Sequence, residues 1–175
     1  MTVWRRNLLA LAVSVGMAAS ATLAIADGPS KGDWPNIPWT WQGLYAGVHI
    51  GNADTFGDDG LVFGAQIGRN WQSGKVVYGI EGDISFSGND SIDWMGTARG
   101  RLGYLITSNI LLYGTAGVGF VNFSHHGGGT DAEFVAGVGI EGKLTQTTTV
   151  RLEYLNFSDS DIDVVRVGLN FKLNW

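Results

Sequence analysis

The chain has 175 residues, no cysteine and a formal net charge of −5, which is the length of a single domain. The lack of cysteine excludes a disulfide framework and thiol chemistry. The acidic balance argues against nucleic acid as a partner.

The N-terminal segment has the features of a secretory signal peptide. Arg5 and Arg6 precede an uncharged apolar stretch that ends in the small-x-small sequence Ala24-Ile25-Ala26. The alternative is an uncleaved transmembrane helix, because the stretch is about long enough to span a bilayer. Small residues dominate its second half and no stop-transfer charges follow, so we predict cleavage after Ala26. Losing two of the 11 basic residues would leave 9 against 16 acidic ones.

The rest of the chain divides into a short lead and a long alternating region. Residues 27–40 are rich in Pro and Trp and are predicted to form a periplasmic N-terminal lead, and residues 41–175 form the main domain. Alternation of apolar and polar residues with a period of two indicates β-strands. We predict eight of them, at 44–52, 61–72, 76–86, 94–105, 110–123, 133–143, around 150–154, and 165–175.

The last segment alternates most regularly. Its apolar face carries Val165, Val167, Leu169, Phe171 and Leu173, and its other face carries Arg166, Gly168, Asn170, Lys172 and Asn174. The fifth segment is the least regular, because it is apolar at nearly every non-glycine position. There we assign Leu112, Ala116, Val118 and Phe120 to the outer face.

The connections are of two kinds that alternate along the chain. Compact turns are predicted at 72–75, 107–109 and 145–147, and acidic or glycine-rich connections at 53–60, 88–91, 124–131 and 158–162. Consecutive strands therefore run up and down between two different surfaces, as in a meander.

The distribution of charge distinguishes a soluble barrel from a transmembrane one. The polar faces carry six basic residues (Arg99, Arg101, Lys143, Arg151, Arg166, Lys172) and five acidic ones (Glu81, Asp83, Glu133, Glu141, Glu153). A soluble barrel would turn the apolar faces inward, whereas a transmembrane barrel turns them to lipid and pairs the charges in its lumen. Aromatic residues at the segment ends (Trp71, Tyr78, Phe86, Trp94, Tyr104, Trp175) are typical of membrane interfaces. We predict an all-β, eight-stranded antiparallel up-and-down transmembrane β-barrel.

A lumen of eight strands is just wide enough to be filled by side chains. Glycines on the polar faces leave room for long charged side chains, and we expect pairs such as Glu81 with Arg99 and Glu153 with Arg166. These pairs predict a barrel that conducts little or nothing. Arg69 has lipid-facing parity near a compact turn, where its side chain could extend to the headgroups.

Several motifs resemble the small outer-membrane β-barrel proteins of Gram-negative bacteria. They are Trp41-Gln42-Gly43-Leu44-Tyr45-Ala46-Gly47, the segments 77–83 and 112–117, and the most specific run, Trp94-Met95-Gly96-Thr97-Ala98-Arg99-Gly100-Arg101-Leu102-Gly103-Tyr104. The resemblance implies a porin-like or opacity-type barrel similar to the OmpA transmembrane domain, located in the cell outer membrane. It also implies an envelope-integrity or surface-antigen role, and assembly through Trp175 by the outer-membrane assembly machinery. The short loops argue against adhesion.

No group of residues in the sequence is a strong candidate for a catalytic, cofactor or metal site. His125 and His126 could form a metal or haem ligand pair, but adjacent strand residues point opposite ways and a solvated loop tip is favoured. A lipid A-modifying enzyme needs a Ser–His pair and an orienting acid. Ser124 fits poorly, and His49 has no obvious serine partner. We predict no enzyme activity, no cofactor and no metal site.

Two further expectations concern function. Outer-membrane lipids and lipopolysaccharide are the expected partners, and a porin-like channel for small solutes is the alternative to a structural role. Nine aspartates in the acidic connections could bind Mg²⁺ or Ca²⁺ and bridge to lipopolysaccharide phosphates, because these ions prefer oxygen ligands. These residues are Asp54, Asp58, Asp59, Asp90, Asp93, Asp131, Asp159, Asp161 and Asp163.

Overall fold

A computed structural model describes residues 39–55, 58–87, 92–123, 130–158 and 162–173, and these residues form a closed antiparallel barrel. Each strand pairs with its neighbours in the chain, and β1 pairs with β8 to close the barrel. The predicted fold is confirmed. The strands are β1 Gly43–Thr55, β2 Asp58–Ser73, β3 Val76–Ser87, β4 Ile92–Thr107, β5 Ile110–Phe123, β6 Thr130–Lys143, β7 Thr148–Phe157 and β8 Ile162–Leu173.

Closure leaves no free edge in the sheet. The β1–β8 pairing runs from Leu44 opposite Leu173 to Thr55 opposite Ile162. Lipid offers the backbone no hydrogen-bonding partner, so a sheet that spans a bilayer must pair every strand. No helix in the described residues is long and apolar enough to cross a membrane.

The two ends of the barrel differ in their connections. Compact turns lie at one end, which we call the turn end, together with the start of β1 and the end of β8. The first turn is Gly74-Lys75, and Gly74 has a φ of 58°, a left-handed conformation that glycine adopts readily. The opposite end, called the loop end, carries the connections 56–57, 88–91, 124–129 and 159–161, which lie outside the described residues.

Seven of the eight strands are longer than predicted, and much of the added length is at the loop end, whereas β5 has its predicted bounds. The first strand extends to Thr55 rather than Asn52, and the eighth begins at Ile162 rather than Val165. The strands have 10 to 16 residues, whereas a tilted spanning strand needs about 9–11. The wall therefore continues beyond the bilayer at the loop end.

The predicted faces are confirmed in the middle of the barrel. Val48, Ile80 and Leu102 face outward and are 55%, 61% and 63% exposed, whereas Arg166 faces inward and is 2% exposed. The four outward residues assigned in β5 are also exposed. The apolar faces thus point to the acyl chains of a bilayer, and the polar faces line the lumen.

Aromatic residues of the outer wall cluster towards the strand ends. The Trp71 and Tyr78 rings stack with centroids 5.9 Å apart near the turn end, and the Phe63 and Phe86 centroids lie 6.1 Å apart towards the loop end. The guanidinium carbon of Arg69 lies 5.4 Å from the Trp71 ring centroid. Arg69 therefore extends towards the turn end, in the predicted direction. Trp175 lies outside the described residues.

The N-terminal predictions are only partly covered by the structure. The signal peptide and residues 27–38 lie outside the described residues, and the boundaries placed after residues 26 and 40 stay predictions. Trp39 and Thr40 are described, and Trp39 lies at the mouth of the barrel.

Candidate functional site

The lumen is filled by three layers of side chains. A charged layer lies in the middle, an apolar cluster closes the loop end, and an aromatic and apolar cluster closes the turn end. We call them the ion layer, the loop-end cap and the turn-end cap. Their arrangement determines what the lumen can conduct or bind.

The ion layer contains four arginines and four carboxylates and is therefore neutral. Strand alternation directs all eight side chains inward, and none is more than 3% exposed. They are Glu81 and Asp83 on β3, Arg99 and Arg101 on β4, Glu141 on β6, Arg151 and Glu153 on β7, and Arg166 on β8.

Glu81 is the hub of the ion layer. Its carboxylate oxygens lie 2.7 Å from Arg99, 3.4 Å from Arg101, 2.5 Å from Arg151 and 3.8 Å from Arg166. Arg99 stands directly opposite Glu81 in the β3–β4 register, and this predicted pair is confirmed. Arg151 and Arg166 reach Glu81 from β7 and β8, so one carboxylate links distant strands through the interior.

Arg166 forms a second hub. Its guanidinium lies 2.7 Å from Glu153 and 3.1 Å from Asp83, and Arg99 is 3.3 Å from the same Glu153 carboxylate. The predicted Glu153–Arg166 pair is thereby confirmed. Because burying an unpaired charge is costly, each arginine needs these partners to remain in the lumen.

Arg101 connects the ion layer to the aromatic residues near the turn end. Its guanidinium carbon lies 5.6 Å and 4.1 Å from the Tyr45 and Tyr113 ring centroids. It donates to the Glu141 carboxylate at 2.7 Å. The Tyr45 hydroxyl donates to Glu81 at 2.6 Å, and the Tyr113 hydroxyl donates to Glu153 at 3.0 Å. Both tyrosines thus satisfy carboxylates of the ion layer.

A chain of hydrogen bonds crosses five strands beside the ion layer. The Ser85 hydroxyl lies 2.8 Å from His49 Nε2, and His49 Nδ1 lies 2.5 Å from Gln66 Oε1. Gln66 donates to Asn170 at 2.8 Å, and Asn170 donates to Glu141 at 2.9 Å. With Nδ1–H donating to Gln66, Nε2 accepts from Ser85, and the chain ends on the Glu141 carboxylate.

The expectation that His49 has no serine partner was wrong. Ser85 lies on β3, and β2 separates it from His49 on β1, so the contact depends on the registers of three strands. The pair resembles a catalytic Ser–His arrangement. Its third member, however, is the neutral amide of Gln66, and His49 and Ser85 are only 4% and 5% exposed. We therefore interpret the pair as part of the structural hydrogen-bond chain.

The loop-end cap is an apolar core inside the barrel wall. All its residues are at most 4% exposed, and sequence reasoning did not find it. Its members are Ala53, Val62, Met95, Val135, Leu155, Phe157, Ile162 and Val164. The feature that could have found it is apolar residues with inward parity near the loop ends of several strands.

The turn-end cap includes residues that precede the first strand. Trp41 is 4% exposed and packs with Val77, Leu105, Leu111 and Tyr113. Its backbone N–H donates to Gln72 at 2.8 Å, and its indole N–H donates to the Ser108 carbonyl at 3.2 Å. Trp41 thus closes the lumen at the turn end.

Trp39 adds a second ring to this closure. Its ring centroid lies 5.9 Å from that of Trp41, and the Nζ atoms of Lys143 and Lys172 lie 4.8 Å and 4.6 Å from it. Lys172 also donates to the Thr40 carbonyl at 2.6 Å. A residual cavity of about 10 Å³ beside these residues has room for about one water molecule.

Two glycines show how the lumen accommodates large side chains. A Cβ atom added to Gly64 would lie 2.6 Å from His49 Nε2, and one added to Gly139 would lie 2.5 Å from the Tyr113 hydroxyl. Both distances are shorter than van der Waals contact, so these positions must lack a side chain. These two glycines make room for a histidine and a tyrosine, whereas the prediction concerned long charged side chains. Gly168 fits that prediction, because a Cβ atom there would lie 3.2 Å from Arg151 Nε.

The other candidate sites lie mainly outside what the structure describes. His125 and His126 are outside the described residues, as are most of the aspartate side chains of the acidic connections. Asp163 is described and accepts hydrogen bonds from Tyr154 at 2.6 Å and Asn156 at 2.9 Å. Within the described ranges, no group of three His, Cys, Asp or Glu side chains is arranged to hold a metal ion.

Comparison with known proteins gives the family. The outer membrane protein beta-barrel domain family matches residues 8–174. The chain belongs to this family. Outer-membrane location and contact with membrane lipids follow from membership, and the family resemblance found in the sequence is confirmed.

Two relatives illustrate the family. The chain is 37% identical to the 22 kDa outer membrane protein of Rhizobium leguminosarum bv. viciae, over 71% of this chain and 68% of that protein. It is 26% identical to the 31 kDa outer-membrane immunogenic protein of Brucella melitensis biotype 1, over 95% of this chain and 97% of that protein. These family members are described as outer-membrane proteins.

Solved structures share the fold at low identity. Neisserial surface protein A aligns with a TM-score of 0.58 and 11% identity, over 74% of this chain and 96% of that one. The outer membrane enzyme PagL aligns with a TM-score of 0.54 and 12% identity, over 74% of this chain and 99% of that one. At such identities the likeness concerns the fold alone, and the PagL match gives this chain no activity.

Proposed function

We propose that this protein is a closed outer-membrane barrel that contributes to envelope integrity and presents its loops as a surface antigen. The observation that supports the closed state is the neutral ion layer held between two buried caps. Both ends of the lumen are occupied by packed side chains, and the ion layer leaves no net charge to attract ions from solution.

The contacts of the ion layer explain why conduction is disfavoured. A permeating ion would have to displace Arg–carboxylate contacts such as Glu81–Arg151, at 2.5 Å, and Glu153–Arg166, at 2.7 Å. Separating one partner of a buried pair leaves an uncompensated charge, which costs about 3–5 kcal/mol. The ion would also have to pass the cap at each end.

The surface role rests on the family and on charge. One relative is named as an immunogenic outer-membrane protein. Most aspartates of the acidic connections belong to the loop end, which faces the cell exterior if the compact turns face the periplasm as in bacterial outer-membrane barrels. We further propose contact with lipopolysaccharide at this end, export by a signal peptide cleaved after Ala26, and assembly through Trp175.

Planar-bilayer recording tests the closed state. The purified, folded protein should give no large stable conductance. A large open state with reproducible steps would instead favour the alternative, a porin-like channel for small solutes. Folding is checked by heat-modifiability, because a folded barrel migrates differently on a gel before and after boiling.

A deletion strain tests the envelope role. Loss of the gene should increase sensitivity to detergent, and expression of the wild-type protein should restore resistance. Antibodies raised against the loops should bind intact cells. An unchanged detergent sensitivity would contradict the integrity role, and absence of antibody binding to intact cells would contradict the antigen role.

A further inference from the structure

Two basic residues on the outer wall belong to one hairpin. Among the basic residues that the structure describes, four arginines lie in the ion layer, and Lys143 and Lys172 contact Trp39 in the turn-end mouth. Arg69 on β2 and Lys75 in the β2–β3 turn remain. Both belong to the turn-end half of the β2–β3 hairpin, so the positive charge of the described outer wall is confined to one hairpin.

Aromatic rings hold both cations against the wall. Arg69 lies over Trp71, whose ring stacks on Tyr78. Lys75 Nζ lies 6.0 Å from the Tyr104 ring centroid. Aromatic residues of this kind mark the headgroup region of a bilayer, so the two cations lie at the depth of lipid phosphates.

An apolar groove begins at the same place. It is a shallow, open depression of the outer wall with a volume of about 480 Å³. Tyr104, the ring beneath Lys75, forms part of its lining. The other outer-wall residues along it are Val76, Leu102, Leu112, Gly114 and Val138.

Gly114 forms the floor of the groove. It pairs with Leu102 on β4 and with Val138 on β6, and these outward side chains are 63% and 60% exposed. A residue without a side chain between two large ones leaves a channel between them. Apolar walls of this kind match a hydrocarbon chain.

We propose that the outer wall of β3–β6 near the turn end binds an anionic phospholipid, with its phosphate beside Lys75, Arg69 as a second cation on the adjoining β2, and an acyl chain in the groove. Charge complementarity identifies the headgroup, and the apolar lining that continues from Tyr104 identifies the tail. The turn end faces the periplasm in barrels of this type, so the lipid belongs to the inner leaflet of the outer membrane.

Native mass spectrometry of the full-length folded protein tests this site. The protein in detergent is titrated with phosphatidylglycerol, which is anionic, and with phosphatidylcholine, which is zwitterionic with the same chains. Phosphatidylglycerol should be retained more strongly. Each juxtaposed cation contributes about a fivefold change in binding, so Lys75→Gln should weaken phosphatidylglycerol binding about fivefold and reduce the preference over phosphatidylcholine.

A second variant tests the groove. A Cβ added to Gly114 has Gly137 O as its nearest neighbour, at 3.8 Å, so Gly114→Leu should fit the wall, fill the groove and weaken binding of both lipids. Gly142→Leu is the matched control, because a Cβ there meets no heavy atom within 4 Å and Gly142 does not line the groove. Lys172→Gln is the control for charge at the same end of the barrel.

The outcomes separate a specific site from general lipid contact. Preference for phosphatidylglycerol, lost with Lys75→Gln and kept with Lys172→Gln, supports the proposal. Equal retention of the two lipids, or equal loss in Gly114→Leu and Gly142→Leu, would overturn it. Heat-modifiability verifies that each variant is folded, and Val138→Trp fills the groove from its other wall if Gly114→Leu does not fold.

Discussion

The middle of the barrel and its loop end use the same strands with opposite patterns. In the middle of β1, Val48 faces outward and is 55% exposed, and His49 faces inward and is 4% exposed. Further along the same strand, polar Asn52 faces outward and Ala53 faces inward at 4% exposure. The pleat is unchanged between the two pairs, but the polarity of its faces is reversed.

The eighth strand shows the same reversal. At the loop end Asp163 is outward and Val164 is buried. From Val165 onward β8 crosses the bilayer, and in this part, called the bilayer section, Val167 is outward and Arg166 is buried. The outer surface at this level is polar, as the hydrogen bonds of Asp163 with Tyr154 and Asn156 show.

The comparison shows that the surrounding medium sets the pattern. In the bilayer the apolar phase is outside the wall, so apolar residues face outward and polar residues must satisfy one another inside. Beyond the bilayer water surrounds the wall, and the lumen becomes the only place where apolar residues can avoid it. One barrel therefore contains an inverted section and a conventional hydrophobic core.

The largest expected effect follows from removing the hub of the ion layer. Glu81→Gln keeps the shape of the side chain but leaves four arginines with three carboxylates. Loss of one partner of a buried ion pair costs about 3–5 kcal/mol, so the free energy of unfolding should fall by that amount. Urea titration of the refolded, lipid-bound protein, followed by tryptophan fluorescence, measures it.

A paired variant controls for the loss of neutrality. Glu81→Gln with Arg151→Gln removes both members of the 2.5 Å contact and keeps the layer neutral. Its loss of stability should be smaller than that of Glu81→Gln alone. A Glu81→Gln protein as stable as wild type would mean that the ion layer does not hold the bilayer section together.

The loop-end cap should respond like the core of a soluble protein. Leu155 is 1% exposed, and replacing a buried leucine by alanine costs about 2–5 kcal/mol. Leu152 lies three positions earlier on β7 but faces outward at 37% exposure, and lipid fills the space that Leu152→Ala leaves. The free energy of unfolding of Leu152→Ala should fall by less than about 1 kcal/mol, which is close to the free energy of transferring a leucine side chain into a bilayer. Equal losses in the same urea titration would refute the difference between the two sections.

The bilayer section could be predicted from sequence, and the loop end could not. Alternation in β8 is regular from Val165 onward, because there one face is always apolar. Val164 and Val165 are both apolar, since the pattern reverses between them. If every apolar residue is assumed to face outward, the predicted β8 begins too late, at Val165 instead of Ile162. For the same reason the predicted β1 ends too early and leaves out Ala53.

The contacts inside the lumen also divide into those that the sequence could predict and those that it could not. Glu81 and Arg99 stand opposite each other on adjacent strands, so a sequence pattern can pair them. Glu81 meets Arg151 across the lumen, and His49 meets Ser85 across an intervening strand. Contacts of that kind depend on how the barrel closes and on how far each side chain extends. The alternation of residues in a single strand gives no information on either.

An arginine introduced at two positions along β1 tests directly where the outer wall passes from lipid to water. Val48→Arg puts a guanidinium on the lipid-facing wall in mid-bilayer, where it costs about 2–4 kcal/mol, whereas near an interface the cost is about 0–1 kcal/mol. Asn52→Arg, at the same parity beyond the reversal, should therefore be nearly neutral. Urea unfolding in vesicles gives both values. A costly Asn52→Arg would place the loop-end section within the hydrocarbon.

The smallest effect is expected at the turn end, where closure depends on residues that precede the first strand. Lys172→Gln removes one of the two cations that face Trp39, and a partly exposed cation–π contact contributes about 0.5–1 kcal/mol. Lys143 retains its own contact with Trp39, so Lys143→Gln should have a similar effect and the double variant a larger one. If the double variant instead loses as much stability as Leu155→Ala, the turn-end closure is as integral to the fold as the loop-end cap. A small loss would mean that residues 39–41 close a barrel whose stability resides in its ion layer and loop-end cap.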